Sequence, residues 1–553
     1  MMSRASVGVA LAALLLLASP IACQRAEQGD GVRAQALLAE FSAAKPYVNE
    51  SGAGRNRVEV GRDMMKLDRS AVLLFIKALD DPDPQVSAVA ALALGRIGDS
   101  RAVEPMLKVL QSFIPVHESD SGTDSPGHLR AAACVCALGR LREPRAVGPI
   151  VALTRLRVPY SDLVRELGFQ ENRNAYMCGI MPILCRDAIH KIGLAAAPEL
   201  IRLLSDADGE IRGTATEYLG RFGVEDRHSR LKRLAAAASR PDESAQLSNE
   251  REALKHEGKL SDRVAALAGG KLIELLHDKV LDVRREAASA LGNLRVASAV
   301  GPLIERLRDE HPWVRLDAIH SLGQIGDPAA LEALAPLLKN PGPDQSDCAE
   351  CAVGMIGGPK ALALLKSGLE NTDPRRREAA IAGLSALGTP EAVDLQITAL
   401  RDKDLCFWAA RALGELKGPD AARAVEPLIA AARDEVGARR AALEALGKIA
   451  DPRGVDVAIA ALKDPDHWVR AAAVMTLGFL KDPKSVEPVK AMLKDPEWLV
   501  RNWAVGALAE LNPPGLSECL KPLLEDENIS VRVAAKSALE HAAKSAEDRT
   551  KNR

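Results

Sequence analysis

Apolar side chains recur in this chain at the spacing of one helix face, and the face itself recurs about every 31 residues. From Val283 the apolar positions are Val283, Ala287, Leu291 and Leu294, at offsets 0, 4, 8 and 11, which is the stripe of an amphipathic helix. Offsets 2 and 6 point away from the stripe. Offset 3 lies on its flank, roughly 100° from the stripe centre at 3.6 residues per turn. The segment then returns: Val283-Arg284 runs to Leu291-Gly292, Val314-Arg315 to Leu322-Gly323, and Val469-Arg470 to Leu477-Gly478, with Val500-Arg501 and Val531-Arg532 following. Ahead of each lies an apolar helix and an Asp/Pro turn. The first clear instance is Val72–Leu79, then Asp80-Asp81-Pro82-Asp83-Pro84, then a helix from Gln85 to Ile97. The Asp reads as a turn former or N-cap, and the Gly of Leu-Gly as the residue that ends or loosens the helix. Two helices per period, with no alternating strand pattern, predict an all-α solenoid of stacked helix pairs, each unit burying its apolar face only against its neighbours.

The polar positions are as regular as the apolar ones. Asp278/Arg284, Asp309/Arg315, Asp464/Arg470, Asp495/Arg501 and Asp526/Arg532 are each six apart. A unit with this signature resembles a HEAT repeat of the short bacterial type, the kind also found in phycocyanobilin lyases. The resemblance covers about residues 55–541, is strongest from 270 onward, and spans thirteen or fourteen units. It implies that Asp and Arg form a ladder linking successive repeats. Ser87, Cys185, Ser346 and Cys406 stand where the Arg belongs, which implies a weaker ladder there.

The flanks and interruptions divide the chain further. Arg4, the apolar run Val7–Ala18 and then Ser19-Pro20-Ile21-Ala22-Cys23 describe a secretory signal over residues 1–22, too short for a comfortable membrane span. The Ala22-Cys23 junction resembles a bacterial lipobox, which implies lipidation of Cys23 and attachment to a membrane by acyl chains; Pro20, three before the cysteine, departs from the family pattern. Residues 23–55 read as a polar linker and N-terminal cap, 56–541 as the repeat array, and 542–553 as a charged tail. Insertions interrupt the array near 111–127, 157–182 and 224–263. The second of these gathers Tyr160, Phe169 and Tyr176 in a chain with only 4 Tyr. Long loops on repeat arrays tend to lie on one face and to carry function.

Composition narrows the function classes. Net charge is −2 with both signs interspersed, so no basic stripe is present to neutralise phosphates, and no nucleic-acid partner is expected. Aromatic residues are 3% of the chain, which suits thin helical layers closing on small side chains. Neither a Gly-rich phosphate loop nor an HExxH or GxSxG motif is present, so no catalytic residue and no cofactor are expected. After Cys23, eight of the 9 cysteines remain. Cys178 and Cys185 form the most plausible local bridge in an exported chain, while Cys406 and Cys519 read as free and buried.

Two constellations stand out. Asp317 and His320 occupy offsets 3 and 6 of one Val-Arg helix, and Cys348 and Cys351 occupy the same offsets one period later. Their ligand types suit zinc, though adjacent helices 8–10 Å apart leave open whether the four converge or stay a surface dyad beside two thiols. Further along, Trp408 and Trp503 fall at offset 3, with Phe407 and Met475 at offsets 2 and 6 nearby. This column is either an exposed aromatic stripe for a protein partner or a flank packed between repeats. Trp313, Trp468 and Trp498, just before their Val-Arg helices, are expected to pack the turns. His117-Glu118 and His256-Glu257 invite comparison with deoxyhypusine hydroxylase, whose four His-Glu pairs sit inside its repeats; here two pairs sit in insertions. The expectation is a non-enzymatic protein-binding scaffold, exported to the cell envelope and facing the periplasm or cell surface. The alternative is an enzyme or enzyme accessory of bilin-lyase-like or metal-binding HEAT type.

Overall fold

The computed structural model describes residues 30–43, 63–64, 66–113, 127–154, 181–238, 261–339, 346–433 and 437–551. Among these the secondary structure is helical, with no strand. Contacts divide the chain into two compact units, Met1–Pro302 and Leu303–Arg553, the boundary falling inside the short helix Val300–Arg306. Both are built from helix pairs. In the first unit the second helices of the pairs are α1 Pro84–Ile97, α2 Gly127–Arg140, α3 Met181–Ile192, α4 Gly209–Ala238 and α5 Leu281–Asn293. In the second they are α6 Pro312–Ile325, α7 Ser346–Ile356, α8 Pro374–Leu387, α9 Cys406–Gly414, α10 Arg439–Ile449, α11 His467–Leu480, α12 Trp498–Leu511 and α13 Ile529–Lys551. Ahead of the first pair, a helix over Asp30–Ala43 buries Ala34, Leu37 and Phe41.

The apolar stripe is where the sequence puts it. Val283, Ala287, Leu291 and Leu294 are all buried, as are Val469, Ala473 and Leu477 on α11 and Val500, Ala504 and Leu508 on α12. The turn aspartates cap the helices that follow: Asp83, Asp373 and Asp466 each accept the backbone N–H two residues on. The leucine of Leu-Gly has its carbonyl closed by a left-handed residue past the helix end. Gly98 at φ +76° caps Leu94 and Gly326 at φ +78° caps Leu322, while Ala450 at φ +58° and Lys481 at φ +52° do the same without the freedom of glycine.

The glycine of Leu-Gly does something other than end the helix. Gly95 and Gly220 lie inside α1 and α4, and Gly323 and Gly478 inside α6 and α11. A Cβ built on Gly95 would stand 2.6 Å from Ala137 Cα on α2. On Gly139 it would stand 2.6 Å from Ala188 Cα on α3, and on Gly220 2.8 Å from Ala290 Cα on α5. In the second unit Gly414 meets Ala445 Cα at 2.9 Å and Gly478 meets Ala507 Cα at 3.0 Å. These glycines form a seam along which neighbouring second helices approach backbone to backbone. A glycine near a helix end looks like a stop signal in one dimension; its partner, one repeat away, is visible only in three.

Cys134, Cys136 and Cys185 are free, buried thiols on α2 and α3. Burial pushes Cys136 up to about 11 and Cys134 up to about 12, and raises Cys185 as well. Cys185 is therefore not in the bridge expected with Cys178, which lies outside the described residues. Cys406 is buried as expected and is in no disulfide, while Cys519 is half-buried.

Candidate interaction surface

An ion-pair ladder holds the second helices in register. Arg470 donates Nε and Nη2 to the two carboxylate oxygens of Asp495 at 2.8 and 2.9 Å, and its Nη1 holds the carbonyls of Asp464 and Pro465 at 2.9 and 3.1 Å. The six-residue interval thus ties each Arg to its own turn, and a 25-residue interval ties it to the next. Arg439–Asp464, Arg377–Asp402 and Arg501–Asp526 keep that second interval. Arg212 makes the same fork on Asp278, with both bonds at 2.8 Å, although 66 residues separate them. The insertion within 224–263 therefore leaves the rung beneath it intact. Where the Arg is replaced, other groups take over. Arg130 reaches Ser87 Oγ at 3.2 Å and the Asp81 carbonyl at 2.8 Å, and Arg376 turns back to Glu350 at 2.9 Å in a buried pair.

On this rigid frame the four aromatic-column residues separate. Trp408 is half-buried against the core of the second unit and meets Phe407 edge to face, 5.2 Å between ring centroids. Arg411 sits over both rings, 5.4 Å from Trp408 and 6.0 Å from Phe407. Trp503 on α12 is 41% exposed and Met475 on α11 is half-buried. Between the two tryptophans, Ala441 and Ala472 at the same offset are buried. The column is thus two sites, one on α9 and one on α11–α12. At 8–10 Å per helix spacing, α9 and α12 stand roughly 25–30 Å apart.

The tryptophans expected to pack the turns do not do so. Trp313, Trp468 and Trp498 are 56, 49 and 41% exposed, because each is the first or second residue of its helix and projects from the helix start instead of folding under it. Trp468 is flanked by His467, with ring centroids 5.2 Å apart, and by Arg440 of the preceding repeat, 5.3 Å from the ring centroid. On α13 the equivalent place is held by Ile529, 66% exposed. Trp468, Trp498 and Ile529 therefore put an exposed apolar side chain at the helix starts of three consecutive repeats. The signal for them was present in the sequence, an apolar residue one or two places before Val-Arg in successive units.

The remaining candidates do not assemble. Among the described residues, no group of three or more His, Cys, Asp or Glu side chains is placed to share a metal ion. Asp317 and His320 lie on α6, Cys348 and Cys351 on α7, and their common register does not close the helix-to-helix distance. Cys348 is exposed, and His320 Nε2 lies 2.7 Å from Gln324 Nε2. Tyr160, Phe169, Tyr176, Cys23 and both His-Glu pairs lie outside the described residues. No described helix is long and apolar enough to cross a membrane.

The comparisons fit this architecture. The model for HEAT repeats matches residues 270–351 and 425–509, and that for the PBS lyase HEAT-like repeat matches residues 88–112 and 405–434. A search of the curated proteins finds no match. Solved structures with loose similarity include an engineered protein, 19% identical over 85% of this chain and 98% of that one, at a TM-score of 0.23. Another is the Kap95:Nup1 complex, 14% identical over 96 and 77% at 0.40. A third is the karyopherin Kap121p bound to the extreme C-terminus of the protein phosphatase Cdc14p, 12% identical over 93 and 57% at 0.42, so that this chain spans little more than half of Kap121p. Likenesses this distant carry no information about partners. The repeat models fall on the helix pairs whose ladder and seam are described above: this chain carries HEAT repeats, part of them of the PBS lyase HEAT-like type.

Proposed function

We propose that the chain is a non-enzymatic protein-binding scaffold, exported and held at the bacterial cell envelope by lipidation of Cys23. The reading rests on one observation above all. Apolar side chains stand exposed on helices that the ladder and the seam hold rigid, at the starts of α11, α12 and α13 and at Trp503. Large aromatic side chains fixed on a rigid backbone supply contact area with little ordering entropy to lose on binding. Phe407, which is exposed, and Trp408 and Met475, which are half-buried, extend that surface. Affinity capture from envelope extracts, comparing the unaltered chain with Trp408→Ala/Trp503→Ala and with Trp468→Ala/Trp498→Ala, tests the surface. At least one pair of substitutions is expected to lose a partner that the unaltered chain retains; an identical set of partners for all three would sink it.

The location is supported by the charged start, the apolar run and the Ala22-Cys23 junction. Cys23→Ser is expected to shift the protein from the membrane to the soluble fraction. Continued membrane association of that variant would overturn the anchor and leave the binding surface untouched.

A further inference from the structure

One helix of the second unit has an open face made of sulfur. From Cys348 to Met355 on α7, every residue is buried except Cys348, Cys351 and Met355. Cys348 is exposed, Cys351 half-buried and Met355 37% exposed. Their spacing, i, i+3 and i+7, sets them in one row along successive turns. The chain has only 9 Cys and 10 Met in 553 residues, so composition alone would not fill a helix face with three of them. Cys134, Cys136, Cys185 and Cys406 differ, being buried where an ion from solvent does not reach them.

Helix geometry decides what such a row can hold. Residues three or four apart on a helix have Cβ atoms about 5–6 Å apart. A disulfide needs about 3.5–4.5 Å, so joining Cys348 to Cys351 would pull the start of α7 out of shape. An ion held by two thiolates, at about 2.3 Å each, separates the sulfurs by up to about 4.6 Å, which the two side chains span on an undistorted helix. Met355, one turn beyond Cys351, adds a thioether on a long, adaptable side chain, and such side chains lean toward the helix N-terminus, here toward Cys351. Its methyl end rests on the seam: a Cβ built on Gly323 of α6 would stand 2.6 Å from Met355 Cε. Zinc asks for three or four protein ligands from His, Cys, Asp or Glu. Among the described residues no group of three or more of these is placed to supply them. Two thiolates and a thioether suit instead a soft monovalent ion, which is satisfied by two or three sulfur ligands.

We propose that Cys348 and Cys351, with Met355 as a third and weaker ligand, form a surface site for one soft monovalent metal ion of the copper(I) class. Binding exchanges the two thiol protons for the ion, so affinity rises with pH. The site lies on α7, away from the apolar row on α11–α13, and stands whether or not that row binds a protein. The test is anaerobic titration of the full, reduced chain with Cu(I) against a chromogenic Cu(I) chelator, repeated with Zn(II) as competitor. Cys348→Ser and Cys351→Ser are each expected to remove one tight equivalent of Cu(I). Met355→Leu, which keeps an apolar side chain against Gly323, is expected to leave the count unchanged and weaken that equivalent about tenfold. All three positions lie on the open face, and circular dichroism establishes that each variant folds. The proposal is overturned if the double variant Cys348→Ser/Cys351→Ser holds as many tight equivalents of Cu(I) as the unaltered chain, or if an equal concentration of Zn(II) displaces Cu(I) from the pair. Unchanged affinity in Met355→Leu would remove the thioether from the site.

Discussion

Gly95→Ala is expected to destabilise the N-terminal repeats by about 2 kcal/mol, while Gly506→Ala stabilises the C-terminal ones by about 0.5–1 kcal/mol. Both glycines lie inside helices, Gly95 in α1 and Gly506 in α12. On intrinsic propensity alone each substitution gains roughly 1 kcal/mol, because alanine gives up less backbone freedom on entering a helix. The surroundings separate the two. A Cβ at Gly506 meets nothing within 4 Å, so the gain survives. A Cβ at Gly95 stands 2.6 Å from Ala137 Cα and 2.7 Å from its Cβ, and backbone cannot rotate aside as a flexible side chain would. Forcing a methyl into such a contact costs about 1–3 kcal/mol, toward the upper end where backbone must move, which outweighs the propensity gain. Gly95→Val is expected to cost more still. Because repeat arrays respond locally, the clearest readout is hydrogen exchange, with protection lost in α1 and α2 and retained in α11 and α12. If Gly95 merely ended its helix, Gly95→Ala would be neutral or stabilising, and that result would overturn the seam.

The contrast shows which features of this chain can be read in one dimension. The apolar stripe through Val283, Ala287 and Leu291 was legible because a helix writes its own burial into its own sequence at 3.6-residue spacing. The Asp–Arg pairing was legible because the six-residue interval repeats; that the same Arg also reaches 25 residues forward becomes plain only when Arg470 is seen forked on Asp495. The role of Gly95 was not legible, since its constraint comes from Ala137 on the next second helix. The Asp317/His320 and Cys348/Cys351 dyads were correctly placed in register, but register fixes direction and not distance. The turn tryptophans were misjudged because a shift of one residue at a helix start decides whether a ring folds under the turn or stands out from it.

Arg501→Ala is expected to cost about 3–4 kcal/mol, and to cost less as pH falls below about 4. Arg501 commits its whole guanidinium: Nε and Nη2 to Asp526 at 2.8 and 2.9 Å, Nη1 to the carbonyls of Asp495 and Pro496 at 2.9 and 3.0 Å, and Nη2 again to Glu527 at 3.0 Å. The Arg501 and Asp526 side chains are only 8 and 6% exposed. Removing the cation strands a nearly buried carboxylate with a single remaining donor, the Asn528 N–H, and frees two turn carbonyls. Arg439→Ala is the milder comparison, because only its Nη2 donates to Asp464, at 3.5 Å, its Nε standing 3.1 Å away without a hydrogen bond, and the Arg439 side chain is 27% exposed. The pH dependence follows from the carboxylate. Hydrogen bonds from Arg501, against the opposing effect of burial, hold Asp526 below the ordinary carboxylate range. A group depressed in the folded state stabilises fully above its unfolded value of about 3.9 and loses that contribution as pH falls through the lower folded value. Asp278 and Asp495 are also depressed: burial, the largest single influence, pushes each up, but the guanidinium partners and a backbone N–H together outweigh it, so rungs in both units weaken together in acid. Urea unfolding of the unaltered chain and of Arg501→Ala between pH 7 and pH 3 measures the difference directly. The gap in stability should be widest near neutrality and narrow toward pH 3; a gap independent of pH would mean that Arg501 acts through packing and carbonyl capping rather than through the charge of Asp526.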